Sequence, residues 1–569
     1  MSDPKKNSPK KELTTEQRML LAFALMGVVL LVSQYLIPAP PESPQKKAAP
    51  AATTSKQTAE PVKTAEAPPP APSTPAPTGQ VNSSSEETIR VETDLYQIDF
   101  SNRGAVIKSW VLKNYQDSTG KPLELLNARA IGKTGYPFSI RLKNGSSAQK
   151  LNQALFRATL SADKLRIDFE YADSEWHARK SFAFRNKSHL AEVSSEVSQS
   201  GRGKPHLLSW RGGFGDETVI GAASNQHSVF YDLNEGKLNV LEAGKAKDGP
   251  VVNRGNYSFA GIEDMYFAAV ALPESTDGFE IHTISDLVPN AIDAKEEPNA
   301  GVAVGGEHLN RFSLFVGPKD TDLLRSISPR LEQLVDWGWF AIIAKPLFLS
   351  LNWLHDKYLP NYGWCIILIT VIINFIMLPL KVTSLKSMKK MQGLQPHVKA
   401  INEKYKGLSL RDPKKAEQNQ EIMELYKKHG VNPMGGCVPM VLQIPFFFAF
   451  YKVLSVAIEI RGADWLWVTD LSRPEMLAIR PLPIAMVASQ FFMQKMTPST
   501  AADPAQQRIM LLMPLFFGFM FYNFSSGLVL YWLTGNVVGI AQQLFFNKFI
   551  HTAAPEPPPV SKPARKSRK

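Results

Sequence analysis

Polar side chains within long apolar runs are the residues of this sequence with the clearest chemical potential. Thr370 and Asn374 lie near the middle of the run Gly363 to Leu380. Further amides lie in or beside later apolar runs: Gln443, Gln490, Gln494, Asn523 and Asn536. Hydroxyl and amide groups donate and accept hydrogen bonds. Because lipid offers no such partner, these groups must bind one another, water or another polar chain.

Two interpretations of these polar residues stay open. In the first, they form hydrogen bonds between helices and only fix the packing. In the second, several line a water-filled cavity that opens to the cytoplasm and receives polar parts of another chain. Prolines favour the second, because kinked helices leave gaps more readily than straight ones. They are Pro379, Pro433, Pro439, Pro445 and Pro514.

Other kinds of site leave no comparable signal. The two cysteines, Cys365 and Cys437, lie in or beside apolar runs, so no disulfide framework is predicted. The histidines of the polar middle, such as His177, His206 and His227, lack the spacing of metal ligands. No nucleophile and base pair or phosphate loop stands out. The sequence therefore predicts no metal, no cofactor and no enzyme.

Apolar length and charge predict a protein with six transmembrane helices. The formal net charge of +12 is concentrated beside apolar segments, which is typical of positive-inside topology and not of DNA binding. For the C-terminal basic cluster, a solvated tail that attracts ribosomal RNA is the alternative. The run 19–37 lacks a small-x-small cleavage site, which favours an uncleaved anchor over a signal sequence. Both chain ends are then cytoplasmic.

The polar middle predicts a large domain outside the cytoplasm. Residues 38–87 are rich in Pro and Ala and predict a disordered linker. Short alternating runs over 88–318 predict a β-sandwich. Aromatic residues within 319–362 predict an amphipathic helix in the outer membrane interface, with a buried soluble helix as the alternative. The predicted segments are a cytoplasmic N-terminus 1–18, transmembrane helices 19–37, 363–380, 434–456, 476–496, 507–524 and 527–546, a cytoplasmic helical hairpin 381–431, and a basic tail 547–569.

The segment after the second predicted span favours a helical hairpin. Apolar residues at spacings of three and four form one face of its first helix: Met388, Met391, Leu394, Val398, Ile401 and Tyr405. Gly407 is a helix stop, and Asp412 with Pro413 begins a second helix. The methionines favour the hairpin's own seam over a contact surface for varied apolar partners.

Four sequence blocks resemble the YidC membrane protein insertases of bacteria, a family with relatives in mitochondria and chloroplasts. The blocks are Gly363–Leu380 with its terminal Pro-Leu, Lys390–Pro396, Asn432–Tyr451 and Ser526–Trp532. Two further segments, Tyr257–Pro273 and Phe315–Asp320, are similar to the periplasmic β-domain of Gram-negative members. The resemblance covers nearly the whole chain.

The resemblance implies a chaperone-like insertase of the bacterial inner membrane, with five transmembrane helices forming its core. It implies insertion of nascent membrane proteins, independently or with the Sec translocon, through a hydrated groove open to cytoplasm and lipid. The ribosome and the signal recognition particle receptor are further implied partners. By position, the groove residues are Thr370, Asn374, Gln443, Phe447, Tyr531 and Trp532. The implied hairpin contacts are Lys386, Met388, Lys389, Lys390 and Met391.

One position departs from the family pattern. Members commonly carry an arginine five residues before the proline of the second span, and Asn374 occupies that position here. An amide forms hydrogen bonds with a polar segment but does not attract an acidic one by charge. The sequence therefore predicts that the substrate is attracted by hydration, by local thinning of the bilayer and by lysines at the cytoplasmic rim, such as Lys381 and Lys386.

Two other classes of function compete with insertion. A secondary transporter would also use polar residues in mid-membrane, but no inverted repeat or intramembrane acid supports it. A glycan-processing or glycan-binding protein would use acids of the β-domain as paired carboxylates. The candidate acids are Asp216, Glu217, Glu263 and Asp264.

Overall fold

The computed structural model describes residues 80–549, apart from 144–147, 220–221, 276–277, 291–293, 407–413, 433–437 and 497–503. The predicted first span 19–37, most of the linker 38–87 and nearly all of the basic tail lie outside the described residues. The predicted helix boundary at Gly407, Asp412 and Pro413 also lies outside them.

The predicted strand-rich domain extends from Thr88 to Pro318. Its strands are β1 Thr88–Glu92, β2 Tyr96–Ser101, β3 Val106–Gln116, β4 Pro122–Glu124, β5 Ser139–Leu142, β6 Arg157–Leu160, β7 Arg166–Ala172, β8 Trp176–Ala183, β9 Leu190–Gln199, β10 Arg202–Gly203, β11 His206–Trp210, β12 His227–Asp232, β13 Lys237–Glu242, β14 Val251–Arg254, β15 Tyr257–Glu263, β16 Phe267–Pro273, β17 Glu280–Pro289, β18 Glu296–Gly305 and β19 Leu309–Pro318. Two short helices, α1 Ile131–Thr134 and α2 Gln149–Gln153, lie between strands.

Three antiparallel sheets build this domain. A four-stranded sheet has the order β1-β2-β3-β4, and a five-stranded sheet has the order β14-β17-β18-β11-β5. The largest sheet has the order β13-β12-β15-β16-β19-β9-β8-β7-β6, with β10 paired to β9. Trp210 and Val302 of the five-stranded sheet line one small cavity with Ile262 and Phe312 of the largest sheet. The sheets therefore pack face to face around a common apolar core, as in a sandwich.

Alternation of side chains explains why these segments form strands. In β8, Ala178, Lys180 and Phe182 point inward and are buried, whereas their neighbours are partly exposed. Lys180 is the exception to an apolar interior. Its Nζ donates to the carbonyl oxygens of Gly104 at 2.7 Å, Ala105 at 3.0 Å and Phe138 at 2.7 Å. Burial lowers the pKa of Lys180 from 10.5 to about 7.

Replacing Lys180 by methionine should destabilise the folded protein by roughly 2–4 kcal/mol, because buried carbonyl groups lose their hydrogen-bond donor.

The lowered pKa of Lys180 also predicts how the stability of the wild type depends on pH. Between pH 7 and 10.5 the unfolded lysine binds a proton that the folded one does not, so wild-type stability should rise with pH over that window. Denaturant titrations at pH 7 and pH 9 should show this rise in the wild type only. A rise of equal size in Lys180→Met would contradict it.

Helices dominate the chain after Pro318. They are α3 Thr321–Ile327, α4 Ala341–Lys357, α5 Tyr362–Ile376, α6 Leu378–Gly393, α7 Gln395–Lys404, α8 Lys414–Lys428, α9 Val438–Val456, α10 Pro481–Met496, α11 Pro504–Phe521 and α12 Ser526–Phe549. Of the described helices, α12 is long and apolar enough to cross a membrane, and α5 with α6 is a second candidate if the pair forms one span. Val441–Val456 and Leu512–Phe521 are shorter apolar helices. The count of six spans stays a prediction.

The predicted span 363–380 differs from the structure in one respect. The helix breaks after Ile376, and the axes of α5 and α6 differ by 58°. Pro379 lies in the first turn of α6. Proline has no backbone N–H and clashes with the preceding turn, so it favours a new helix start over continuation. The bend changes the direction in which the lysines of α6 point.

Helix α4 carries apolar side chains on both its buried and its exposed face. Its buried face contains Ala344, Leu347, Phe348, Leu351 and Leu354. Large apolar side chains in and around the helix are exposed: Trp339, Ile342, Leu349, Trp353 and Tyr358. An exposed apolar and aromatic face suits a membrane interface. The interfacial position of this helix stays a prediction.

Candidate functional site

The polar residues of α5 meet a lysine from α6 and a glutamine from α12. The side-chain Nζ of Lys381 lies 2.5 Å from Oδ1 of Asn374 and 3.4 Å from Oε1 of Gln542. Nε2 of Gln542 donates to the backbone oxygen of Asn374 at 3.3 Å. Three helices therefore meet at one hydrogen-bonded cluster, which we call the Lys381 cluster: Thr370, Asn374, Lys381 and Gln542.

The local helix geometry explains how the cluster forms. Thr370 Oγ1 donates to Ile366 O at 2.6 Å, and Asn374 Nδ2 donates to Thr370 O at 2.8 Å. These bonds to the preceding turn hold both buried side chains against their own helix. Lys381 follows Asn374 by seven residues, about two helical turns, and contacts it across the bend between α5 and α6.

The charge of Lys381 has no acidic partner among the described residues. Its ammonium group is largely buried and contacts the neutral amides of Asn374 and Gln542. A cation among neutral amides is attractive to an anionic group from another molecule. The sequence placed Lys381 at the cytoplasmic rim, whereas the structure places its ammonium group against Asn374. Sequence reasoning also missed Gln542, which lies eleven residues, or about three helical turns, after Tyr531 on the same face of α12.

The aromatic residues of the predicted groove form a second cluster. The ring of Phe447 in α9 lies 5.2 Å from that of Trp532 in α12 and 5.7 Å from that of Phe521 in α11. Nε1 of Trp532 donates to Oε1 of Gln490 at 3.2 Å. Phe447 is buried, and Trp532 is partly exposed. Of the three rings, only that of Trp532 can therefore meet another molecule, and Gln490 gives it a polar edge.

Tyr531 and Gln443 form a third contact. The hydroxyl of Tyr531 lies near the side chain of Gln443. The ring of Tyr531 stacks on Phe450 at 4.1 Å between centroids. The structure thus joins the six predicted groove residues in three pairs: Thr370 with Asn374, Phe447 with Trp532, and Gln443 with Tyr531.

The predicted hairpin residues differ in exposure. Met391 is buried with Leu394, Val398, Tyr426 and Val431, so it belongs to the hairpin's own seam. Lys386 and Lys390 are exposed, whereas Met388 and Lys389 are partly buried. Nζ of Lys389 lies 5.9 Å from the ring centroid of Phe546. The exposed lysines are therefore the hairpin residues best placed to meet another molecule.

The acids of the β-domain already have partners within the chain. Glu263 Oε2 lies 3.2 Å from Nζ of Lys319, and Glu217 forms a 3.2 Å pair with Arg129. Asp264 accepts three backbone N–H groups. Burial raises the pKa of Glu217 to about 7 and also raises the pKa values of Glu263 and Asp264. These contacts give Glu217, Glu263 and Asp264 partners within the fold.

Comparisons with known proteins agree with this division of the chain. The family described as YidC periplasmic domain matches residues 88–350, and the family described as 60Kd inner membrane protein matches residues 353–553. A membrane protein insertase YidC of Geotalea daltonii is 35% identical, over 94% of this chain and 99% of that protein. The same named protein of Geobacter metallireducens is 36% identical, over 95% of this chain and 99% of that protein. The crystal structure of YidC from Thermotoga maritima is 15% identical, covers 81% of this chain and 98% of that chain, and has a TM-score of 0.29.

A periplasmic β-domain joined to a helical region of this kind defines an inner-membrane protein of the insertase class. The chain belongs to the YidC family of membrane protein insertases.

Proposed function

We propose that this chain inserts nascent proteins into the inner membrane through a hydrated groove that opens to the cytoplasm and to lipid. The Lys381 cluster is the observation that carries this proposal. It brings an ammonium group and two amides together between apolar helices, one turn from the hydroxyl of Thr370, which donates to Ile366 O. Such groups need water or polar partners in a membrane, so the cluster is suited to receive a polar segment of another chain.

The groove would act by reducing a desolvation cost. A polar segment that crosses hydrocarbon without partners costs several kcal/mol for each unsatisfied group, by a rough estimate. Asn374 and Gln542 offer hydrogen bonds along the path, and Lys381 offers charge. No covalent bond forms or breaks in this mechanism.

The proposal gives the ammonium group of Lys381 a specific role in this chain. The ammonium group of Lys381 would perform the electrostatic attraction that a neutral Asn374 alone cannot supply. An acidic residue in the translocated segment would then pair with Lys381, whose neighbours among the described residues are neutral.

The aromatic cluster would receive the apolar part of the substrate. The partly exposed ring of Trp532, which packs on the buried ring of Phe447, would offer an apolar surface from which a hydrophobic segment moves into lipid. The exposed Lys386 and Lys390 of the hairpin would meet the ribosome or the signal recognition particle receptor. Cooperation with the Sec translocon and the six-span topology, with both ends cytoplasmic, are parts of the same proposal.

Reconstitution tests this function directly. Liposomes that contain only this chain should insert a small, Sec-independent membrane protein, and protease protection of its translocated segment measures the product. Empty liposomes and liposomes with an unrelated polytopic protein are the controls. Protection at the level of these controls would contradict the proposal.

A further inference from the structure

One aspartate of the β-domain binds two arginines from the segment between α9 and α10. Oδ2 of Asp216 lies 2.5 Å from Nη2 of Arg461 and 3.1 Å from Nη2 of Arg473. The side chains of Asp216 and Arg461 are 1% and 4% exposed. Ion pairs that are shielded from water in this way are screened little by salt.

The β-domain holds Asp216 in place from behind. The backbone N–H of Asp216 donates to Oδ2 of Asp264 at 2.9 Å. Gly215 has a φ of +94°, and a Cβ there would lie 1.9 Å from the same oxygen, so only glycine fits. Asp216 therefore has a fixed position relative to the strands.

Arg461 is fixed by several further contacts with the β-domain. It donates to the backbone oxygen of Gln116 at 2.9 Å. Its guanidinium carbon lies 5.1 Å from the ring centroid of Tyr266 and 5.2 Å from that of Phe267. Ile458, three residues earlier, packs in the apolar core of the β-domain. The segment is thus docked on the domain by charge, aromatic contact and apolar packing.

The same segment holds the first turn of α12. The backbone oxygen of Arg473 accepts hydrogen bonds from Ser526 N at 2.7 Å and Ser526 Oγ at 2.9 Å. The backbone oxygen of Leu471 accepts from Gly527 N at 2.9 Å. The N–H groups of a helix's first turn lack partners within the helix, so these contacts satisfy and locate it. Tyr531 and Trp532 follow within two turns.

We infer that Asp216 is a positioning residue for the groove. Through Arg473 it locates the N-terminus of α12, and through Arg461 it fixes the segment that carries Arg473. Arg473 also pairs with Asp470 at 3.3 Å, so its charge is shared between Asp216 and an acid of the segment that carries Arg473. The inference rests on the proposed function, because the groove on α12 is the proposed site of insertion.

Hydrogen exchange of the full-length protein in liposomes tests this inference. Asp216→Asn keeps the side-chain shape and removes its charge. The amides of Ser526 and Gly527 should exchange about tenfold faster, because a charge-assisted hydrogen bond is lost. The initial rate of insertion should fall about threefold in the same liposomes. Asp168→Asn, which breaks the exposed pair of Asp168 with Arg166, is the matched control and should change neither value.

Conservative and reciprocal variants separate positioning from misfolding. Asp216→Glu retains the charge. It should therefore show at most half of the increase in exchange rate, and half of the loss of insertion rate, that Asp216→Asn shows. Arg473→Gln should accelerate hydrogen exchange at the amides of Ser526 and Gly527 and leave exchange in β8 unchanged. This variant takes the place of Asp216→Asn if Asp216→Asn does not fold. Unchanged exchange at Ser526 and Gly527 in the folded variants would overturn the inference, as would faster exchange with an unchanged insertion rate. If wild-type liposomes insert nothing, the proposed function fails, and the exchange rates alone then decide the positioning role.

Discussion

Replacing Lys381 by glutamine should slow the insertion of a protein with an acidic translocated segment by about tenfold or more. The ammonium group lies among neutral amides, so a substrate carboxylate would be its charged partner. A hydrogen bond to a charged group contributes roughly 1.5–3 kcal/mol, and about 1.4 kcal/mol corresponds to a factor of ten. The rate is measured by protease protection in liposomes that contain only this chain.

Two comparisons make the Lys381 result specific. Lys399→Gln removes an exposed lysine of α7, which has no role in the proposed groove, and should change the rate by less than about twofold, as is usual for exposed charges. A substrate whose acidic residues are replaced by their amides should lose the sensitivity to Lys381→Gln. Equal effects of the two lysine variants, or equal effects on acidic and neutral substrates, would contradict the assigned role of charge.

The second large effect is expected from removing the amides of the Lys381 cluster. Asn374→Leu with Gln542→Leu keeps the side-chain volumes similar and removes the polar contacts of Lys381. The groove should become drier and offer no hydrogen bonds, so insertion of a polar segment should fall about tenfold or more. Because both amides contact the same ammonium group, the effects of the single variants should not add.

Matched variants test whether the loss comes from the cluster. Asn523→Leu removes an exposed amide that bonds Arg480 near the start of α12, away from Lys381. It should leave the insertion rate within about twofold of the wild type. If this control lowers the rate as much as the double variant does, the loss reflects general damage to the helices and the cluster has no special role.

Periodicity predicted the parts of the fold that depend on local patterns. Alternation predicted the strands of the β-domain. Spacings of three and four predicted one helical face, and its members Met391, Leu394 and Val398 do pack together, although the structure divides that helix at Leu394 into α6 and α7. Both patterns work because the buried face of a strand or helix recurs at a fixed period. Neither pattern predicts where a helix bends.

The parts that the sequence did not predict depend on tertiary contacts. Lys381 contacts Asn374 across a 58° change of direction between α5 and α6, which the periodicity does not show. Gln542 joins them from a helix that is 168 residues away from Asn374 in the chain. The partners of Asp216 are similarly remote, since Arg461 lies 245 residues later. Single-sequence patterns carry no information about such contacts.

The central claim, that a hydrated groove opens to the cytoplasm, is tested most directly by the accessibility of single cysteines. Thr370→Cys and Asn374→Cys would each be placed in a chain with Cys365→Ser and Cys437→Ser, in membrane vesicles of known orientation. Ile372, an exposed apolar residue of α5, provides a lipid-facing control as Ile372→Cys. A membrane-impermeant polar thiol reagent should modify positions 370 and 374 from the cytoplasmic side only and should leave position 372 unmodified. Failure to modify 370 and 374 from either side, or modification from both sides, would contradict the groove.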